Sequence, residues 1–334
     1  MVTRKDVAKR AGVSPAVVSY VLNHSNYVSS EKTEAVLKAV KELHYTPNYM
    51  ARSLKTKRTF HFAFIGDDVR NELYTEIAYY MEEYSYEKGY TISLCSSRTD
   101  NSFLNALISR QYDGIFLASN LYSTDQLNYI ASKNRALVFY QTRDYENLDP
   151  HIAIVSADYY DGTKQAMRYL LQKGHKHIAY IPPYRFSLHD VAFTRDYRMK
   201  AYVQSLQEYG ISINQTLICL DIQDENALFQ FMSQMLSIKE TDKRPTAFLI
   251  GNDYLATQVI KYLKILNISV PKDMEIIGMD NTMSARIGTP ELTTIDVPKK
   301  AVACQVVDTI IQRIKGEDVE NAYLPTKLVI RESA

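Results

Sequence analysis

The sequence predicts an α/β protein that carries a small all-helical module at its N-terminus. Three observations predict it. From residue 60 onward, short apolar runs alternate with amphipathic stretches, the pattern of parallel strands joined by crossover helices. The first sixty residues hold no such runs and repeat their apolar residues at helical spacing. Charge divides at the same place: residues 1–59 contain 11 Lys and Arg against 4 Asp and Glu, and the remainder contains 28 against 34. A net charge of +1 therefore conceals a basic module on a mildly acidic body, which suits phosphate attraction by one end only.

Within the basic module, Asp6 to Asn23 reads as two short helices joined by a tight turn. Thr3 and Asp6 form a T-x-x-D capping box for the first helix, with Val7, Ala8 and Ala11 as its apolar stripe and Gly12 as the turn. Ser14 caps the second helix, and Pro15 sits at its first position, where a missing N–H costs nothing. Val17, Val18, Val21 and Leu22 face the first helix, leaving Pro15, Ala16, Ser19, Tyr20 and Asn23 outward. A helix–turn–helix that shows small and polar groups at the start of its second helix is built to enter a DNA major groove. Ser29 or Ser30 caps a third helix, whose Val36, Leu37, Val40 and Leu43 close a three-helix core, and Pro47 stops it. The following stretch, Asn48 to Thr59, is polar and basic with one conspicuous Leu54, and is too short to be a stable helix alone in water.

The body reads in order as strand Phe60–Ile65, helix Tyr74–Lys88, strand Tyr90–Cys95, a helix near 101–110, strand Asp113–Ala118, a helix near 124–133 and strand Ala136–Tyr140. A second series begins with a helix from Asp161 to Gln172 and strand Gly174–Ile181. It continues with a helix near 198–209, a strand near Leu217, a helix near 227–237, strand Ala247–Gly251, a helix near 253–266 and strand Glu275–Met279. A helix Lys300–Gly316 and a strand Leu324–Arg331 should cross back between the two halves. Such sheets place a cleft outside the carboxyl ends of their strands.

Length and composition exclude several classes. At 334 residues the chain suggests two or three units, and 46% hydrophobic residues suffice for substantial cores. No apolar run approaches membrane-spanning length, and the N-terminus begins with charged helix, so a cytoplasmic protein is expected. Cys95, Cys219 and Cys304 are far apart, which indicates neither a disulfide framework nor a zinc site. His175 and His177 project to one face of a strand, but no sequence neighbour completes a metal site. There is no G-x-S-x-G and no G-x-x-x-x-G-K, so neither an enzyme nor a cofactor is expected.

Asp6 to Asn23, with VSSEK at Val28, YTPN at Tyr45 and ARSL at Ala51, resembles the headpiece of the lactose/galactose repressor family of bacterial transcription regulators. R-x-x-x-Y at Arg198–Tyr202, GND at Gly251–Asp253 and GMD at Gly278–Asp280 extend the resemblance over the chain. It implies a three-helix DNA-binding headpiece at 1–46, a hinge helix at 47–59 and a periplasmic-binding-protein-like sensor at 60–334. The sensor would comprise two doubly wound parallel-sheet subdomains, one at about 60–158 and 295–323, the other at about 159–294 and 324–331. It also implies a homodimer on double-stranded operator DNA, with no tetramerisation tail after Arg331, and a small-molecule effector, most simply a sugar, in the cleft. Effector binding would change the angle between the halves and so the pairing of the hinges, with a coupling of about 1–3 kcal/mol sufficing. Release and tightening are equally allowed, and so is a partner-protein corepressor. The alternative is a ligand-binding receptor with no DNA-dependent role.

Carried over residue by residue, the base-reading positions are Pro15, Ala16 and Tyr20. Ser14, Ser19, Asn23 and Ser29 fall at phosphate-contacting positions, Thr3 also lies on the DNA side, and Asn48, Ala51, Arg52 and Leu54 belong to the hinge. Tyr20 stands where Arg or His is frequent, and Val17 where Thr is frequent. Without a bidentate Arg the helix lacks a discriminating contact of about 1–3 kcal/mol per base pair. Specificity is then expected from a Leu54 wedge in the minor groove and from DNA deformability. For the effector, the matching positions are Leu73 and Tyr74, Gln141 (where Asp is common), Thr194, Arg198, Asn252 and Asp280. An Arg fork with Asn and Asp at strand ends can hydrogen-bond vicinal hydroxyls, and 26 Tyr residues against no Trp offer stacking faces. Asp253 reads as a helix N-cap, and an ion pair between Arg198 and Asp280 is the plainer role for those two. Ala192, where the purine-sensing branch favours a basic residue, argues against a nucleobase.

Overall fold

The computed structural model describes residues 2–23, 26–46, 56–183, 194–219, 224–238, 240 and 243–334. The chain divides into two compact units, Met1–Thr59 and Phe60–Ala334. No helix among the described residues is long and apolar enough to cross a membrane.

The first unit contains helices α1 (Arg4–Ala11), α2 (Pro15–Asn23) and α3 (Ser30–Glu42). Its core is Val7, Ala8, Val18, Val21, Val36, Ala39 and Tyr45, with Val17, Leu22, Val40 and Leu43 packed around it. Leu37, expected inside, is 52% exposed, and Ala39 occupies the inward position of α3 instead. Val36, Val40 and Leu43 pack as expected, so Leu37 is the one position of this face misassigned.

The second unit opens with β1 (His61–Gly66), α4 (Glu72–Glu87), β2 (Thr91–Ser96), α5 (Asn101–Ser109), β3 (Gly114–Ala118), α6 (Thr124–Lys133), β4 (Leu137–Phe139) and β5 (Ala153–Ala157). It continues with α7 (Tyr159–Gln172), β6 (Ile178–Ile181), α8 (Tyr197–Glu208), α9 (Glu225–Leu236), β7 (Ala247–Ile250), α10 (Asp253–Ile265) and β8 (Glu275–Asp280). Last come α11 (Met283–Ile287), β9 (Thr293–Asp296), α12 (Lys299–Lys315), β10 (Ala322–Leu324) and β11 (Lys327–Val329). The first sheet has the order β10-β5-β4-β3-β1-β2 with every pair parallel. The second has the order β11-β9-β8-β7-β6, parallel except for the antiparallel β11. In the first sheet the direction of winding reverses between β1 and β3, which is where such folds open a crevice.

The chain passes between the halves after β5, after β9 and after β10. The sheets change hands after Asp296 and after Leu324, a residue or two beyond the expected 294 and 323. The expected single strand Leu324–Arg331 is instead two short strands, one in each sheet, turned by Pro325. The hydroxyl of Thr326 donates to the Asp158 carbonyl at 2.8 Å, tying two crossings together. A Cβ at Gly162 would lie 2.4 Å from the Thr326 Oγ1, so glycine is what lets the crossing pass α7. Sequence reasoning missed β5, α11 and β9. The strand expected near Leu217 is a 3₁₀ turn at Gln215–Leu217 followed by a single bridge from Ile218 to Tyr180. One buried cluster runs from Phe62 and Phe64 through Tyr140 and Tyr159 to Tyr180 and Met279, so the two halves share a core.

Candidate DNA-reading surface and effector cleft

In the headpiece the capping box is formed: the Thr3 N–H donates to the Asp6 carboxylate at 2.8 Å and the Asp6 N–H to the Thr3 hydroxyl at 3.4 Å. The Thr3 hydroxyl, which donates to the Asp6 carboxylate at 2.7 Å, and the Thr3 N–H hold that carboxyl below its ordinary range. Gly12 takes φ +68°, the left-handed conformation that ends α1, and Val13 N–H returns to the Ala8 carbonyl at 3.0 Å. The Val17 N–H donates to the Ser14 hydroxyl at 3.3 Å, so Ser14 caps α2 and its hydroxyl already serves the fold. Pro15, Ala16 and Tyr20 are exposed along α2 and Ser19 is half-buried. Thr3 is exposed, and Ser29 stands at the N-cap of α3 without a side-chain cap bond. Asn23 ends α2, while Asn48, Ala51, Arg52 and Leu54 lie outside the described residues.

The cleft residues stand at the carboxyl ends of the strands. Leu73 and Tyr74 lie buried in the first turn of α4, which Asn71 caps by accepting the Leu73 N–H at 2.9 Å. Arg198, 6% exposed, sits in the first turn of α8. Its Nε and Nη2 reach the two carboxylate oxygens of Asp196 at 2.9 and 2.6 Å, and its guanidinium carbon lies 4.9 Å from the centre of the Tyr159 ring. The alternative of an ion pair with Asp280 is not the pairing made; Asp196, two residues away in sequence, takes the fork. Asp280, at the end of β8, is 5% exposed. Burial pushes its carboxyl up to about 6, against the charges of Arg198 and Lys299 and a hydrogen bond from Tyr159. The Tyr159 hydroxyl lies 3.0 Å from that of Tyr140, so a chain of hydroxyls leads from β4 to Asp280.

Asp280 and Asn281 both have positive φ, 100° and 52°, a conformation costly for residues with a Cβ. Lys299 holds this turn: its Nζ donates to the carbonyls of Asp280 at 2.5 Å, Asn281 at 3.1 Å and Val297 at 3.2 Å. Gln141, expected to contact the effector, uses its amide nitrogen within the protein. Its amide nitrogen donates to the Arg143 carbonyl at 2.8 Å within its own half and to the Tyr197 hydroxyl at 2.9 Å across to the other, so one of its two protons joins the halves. The same lip is joined by Tyr197 N–H to the Thr142 carbonyl at 3.0 Å and by the pairs Lys200–Asp144 and Arg195–Glu146. Thr194 is exposed just before α8.

Asn252, not Asp253, is the N-cap of α10, accepting the Leu255 N–H at 2.7 Å. Asp253 is fully buried and accepts from the Thr282 N–H at 2.7 Å and the Thr294 hydroxyl at 2.5 Å. Part of the tyrosine is core and not exposed stacking surface: Tyr122, Tyr140, Tyr159, Tyr180 and Tyr202 are among the largest fully buried side chains. His175 does have a carboxylate neighbour: its Nε2 is 3.1 Å from Glu275 and its Nδ1 2.7 Å from the Thr246 hydroxyl, at the opposite ends of the strands from the cleft. Among the described residues no three His, Cys, Asp or Glu side chains gather as a metal site. Sequence reasoning missed Tyr140, Tyr159, Asp196 and Lys299. Only Asp196 carried a signal, as a possible cap two residues before Arg198.

Residues 3–48 match the family described as bacterial regulatory proteins, lacI family, and residues 167–334 match the periplasmic binding protein-like domain. The HTH-type transcriptional repressor PurR of Edwardsiella ictaluri is 32% identical over 345 residues, covering 100% of this chain and 97% of its own. That of Pectobacterium atrosepticum is 33% identical over 341 residues with the same coverage. Among solved structures, a complex of the transcriptional regulator CelR with cellobiose shares 25% identity and a TM-score of 0.70 over 100% of both chains. A lac repressor dimer bound to operator and the anti-inducer ONPF shares the fold at 24% identity, with a TM-score of 0.82 over 99% of this chain and 98% of that one. With the capped helix–turn–helix and the two-sheet body already in view, these matches settle the family: the chain belongs to the lacI family of bacterial regulatory proteins, as a DNA-binding transcriptional repressor with a ligand-binding domain.

Proposed function

We propose that the chain is a homodimeric repressor of carbohydrate-utilisation genes whose operator affinity is set by a sugar in the cleft of the second unit. The observation that carries this reading is the meeting of Arg198, Asp280, Tyr159 and Tyr140 at the strand ends. A carboxylate, a guanidinium and phenolic hydroxyls provide acceptors and donors for vicinal hydroxyls, and an aromatic face supports the apolar side of a pyranose. The likeness to CelR, whose solved complex holds cellobiose, supports the same class. Leu73 and Tyr74 close the apolar side of the site, and Asn252 and Thr194 its rim. Pro15, Ala16 and Tyr20 read bases, Thr3, Ser14, Ser19, Asn23 and Ser29 face phosphates, and Asn48, Ala51, Arg52 and Leu54 serve the hinge.

A nucleobase is the second reading, favoured by the density of tyrosine at the same place. Calorimetric titration of the purified protein with monosaccharides, disaccharides and free nucleobases tests both. Saturable binding of one sugar, lost in Arg198→Ala, is expected. Binding of a nucleobase with no response to any sugar overturns the sugar assignment while leaving the repressor intact.

A further inference from the structure

The cationic donors of the cleft are already committed to the protein. Lys299 has three protons, and its Nζ donates to the three carbonyls of Asp280, Asn281 and Val297. The Nε and Nη2 of Arg198 donate to Asp196, a fully buried carboxylate that balances the guanidinium charge. Both amide protons of Gln141 go to protein acceptors as well. Carboxylates, by contrast, stand at the strand ends of both halves. Asp67 follows β1 in the first half, where it accepts from the Ser97 hydroxyl at 3.3 Å and from that of Ser119. Asp280 ends β8 in the second half, and among the described residues its carboxylate receives a single protein hydrogen bond, from Tyr159. The Tyr74 hydroxyl is within reach of the charges of both. Its ring is fixed against β1, since a Cβ at Gly66 would come within 2.9 Å of it. Tyr74 is nine-tenths buried, yet among the described residues its hydroxyl makes no hydrogen bond. Burial, with the charges of Asp67 and Asp280, raises that hydroxyl well above the ordinary phenol range.

We propose that the effector is an amino sugar, whose ammonium group sits between Asp67 and Asp280 beside the Tyr74 hydroxyl. An ammonium offers three donors and no acceptor, which complements two carboxylates and a phenol oxygen and asks nothing of the spent Lys299. A sugar phosphate has the opposite needs. It would bring further negative charge beside buried carboxylates, where Lys299 has no proton left to donate. Because Asp67 belongs to one half and Asp280 to the other, the contact that selects the amine also draws the two sets of strand ends together.

The inference rests on the cleft binding a sugar. The full-length protein is titrated calorimetrically at pH 7 with glucosamine, galactosamine and mannosamine, with the neutral parent of each, with the N-acetyl form of each, and with putrescine as an amine that has no ring. At least one amino sugar should bind roughly ten- to a hundredfold more tightly than its parent and its N-acetyl form, the range of one charge-assisted hydrogen bond. Asp280→Asn should bring that affinity close to the parent's while changing the parent's own far less. Asp67→Asn, whose carbonyl still accepts both serine hydroxyls, should produce the same selective loss, so the test does not depend on one variant keeping its fold. Neutral parents that bind as tightly as the amines, putrescine that binds as tightly as the best amino sugar, or an amine preference that survives both substitutions would overturn the proposal. If neutral sugars alone bind, this inference fails and the sugar reading stands; if no sugar in the panel binds, amino or neutral, both fail together.

Discussion

Asp253 is a buried carboxyl whose protonation the surrounding structure controls, and Asp253→Asn isolates that effect. One carboxyl oxygen receives the Thr282 N–H at 2.7 Å and the Thr282 hydroxyl at 3.3 Å, and the other lies 2.5 Å from the Thr294 hydroxyl. Burial, with the neighbouring Asp280 charge, pushes the carboxyl up to about 8 despite these bonds. The folded state therefore holds the proton more tightly than the unfolded chain, where the ordinary value is near 4. The resulting stability is complete below pH 4 and is lost as the pH rises to about 8, because a bare carboxylate must then stay buried. At about 1.36 kcal/mol per unit a window of about four units is worth on the order of 5 kcal/mol, part of it shared with Asp280. An asparagine keeps the geometry: its carbonyl accepts the Thr282 N–H and its amide donates to the Thr294 hydroxyl, as the protonated acid does. Urea unfolding followed by far-UV circular dichroism should find the variant within about 1 kcal/mol of the parent at pH 5. At pH 9 the variant should be more stable by about 3 kcal/mol. Equal pH slopes in the two proteins, or a less stable variant at pH 9, would refute the reasoning. Asp253→Ala should lose about 1–3 kcal/mol at both pH values, since it orphans the Thr282 N–H.

Three further outcomes follow from the same geometry. Thr3→Ala removes one arm of the capping box and should cost the headpiece about 1 kcal/mol, read as a lower melting point of the first unit. Arg198→Lys cannot engage both oxygens of Asp196 or lie flat over Tyr159; it should abolish the response to the effector while leaving basal DNA affinity within about threefold, by gel shift with and without ligand. Leu54→Ala should flatten the preference for a flexible central step in a base-substitution scan, and a scan unchanged by this variant would contradict the wedge.

The elements set by local chemistry could be read from sequence. The capping box at Thr3, the turn at Gly12 and the cap at Ser14 depend on residues within four positions of each other, and all three form as expected. Strands such as β1 and β7, all aliphatic or aromatic, declared themselves. β9 did not, because its Thr293 and Thr294 are polar by type yet fully buried, their hydroxyls engaged with Arg331 and Asp253. The tail was misread because eight residues of strand-like composition are cut by a crossing between sheets, which only the partners of β10 and β11 decide. In the cleft, residue types were legible and partners were not. Arg198 and Asp280 are both buried there, but whether they pair depends on Asp196, and the role of Gln141 depends on Tyr197, 56 positions away. Lys299, one residue ahead of the expected helix start at Lys300, carried no signal; three carbonyls brought together after β8 and β9 make it the clasp of the Asp280 turn.

The central claim is that one polypeptide joins sequence-specific DNA binding to a metabolite cleft. Its most direct test is selection of random duplex DNA by the purified protein at one fixed, moderate salt concentration, followed by rebinding of the enriched sites across a panel of sugars and nucleobases. Salt is held constant because phosphate contacts make affinities at different ionic strengths incomparable. The account predicts a palindromic site with a flexible central step whose occupancy one sugar changes. Absence of any enriched site, with and without every ligand in the panel, would contradict it.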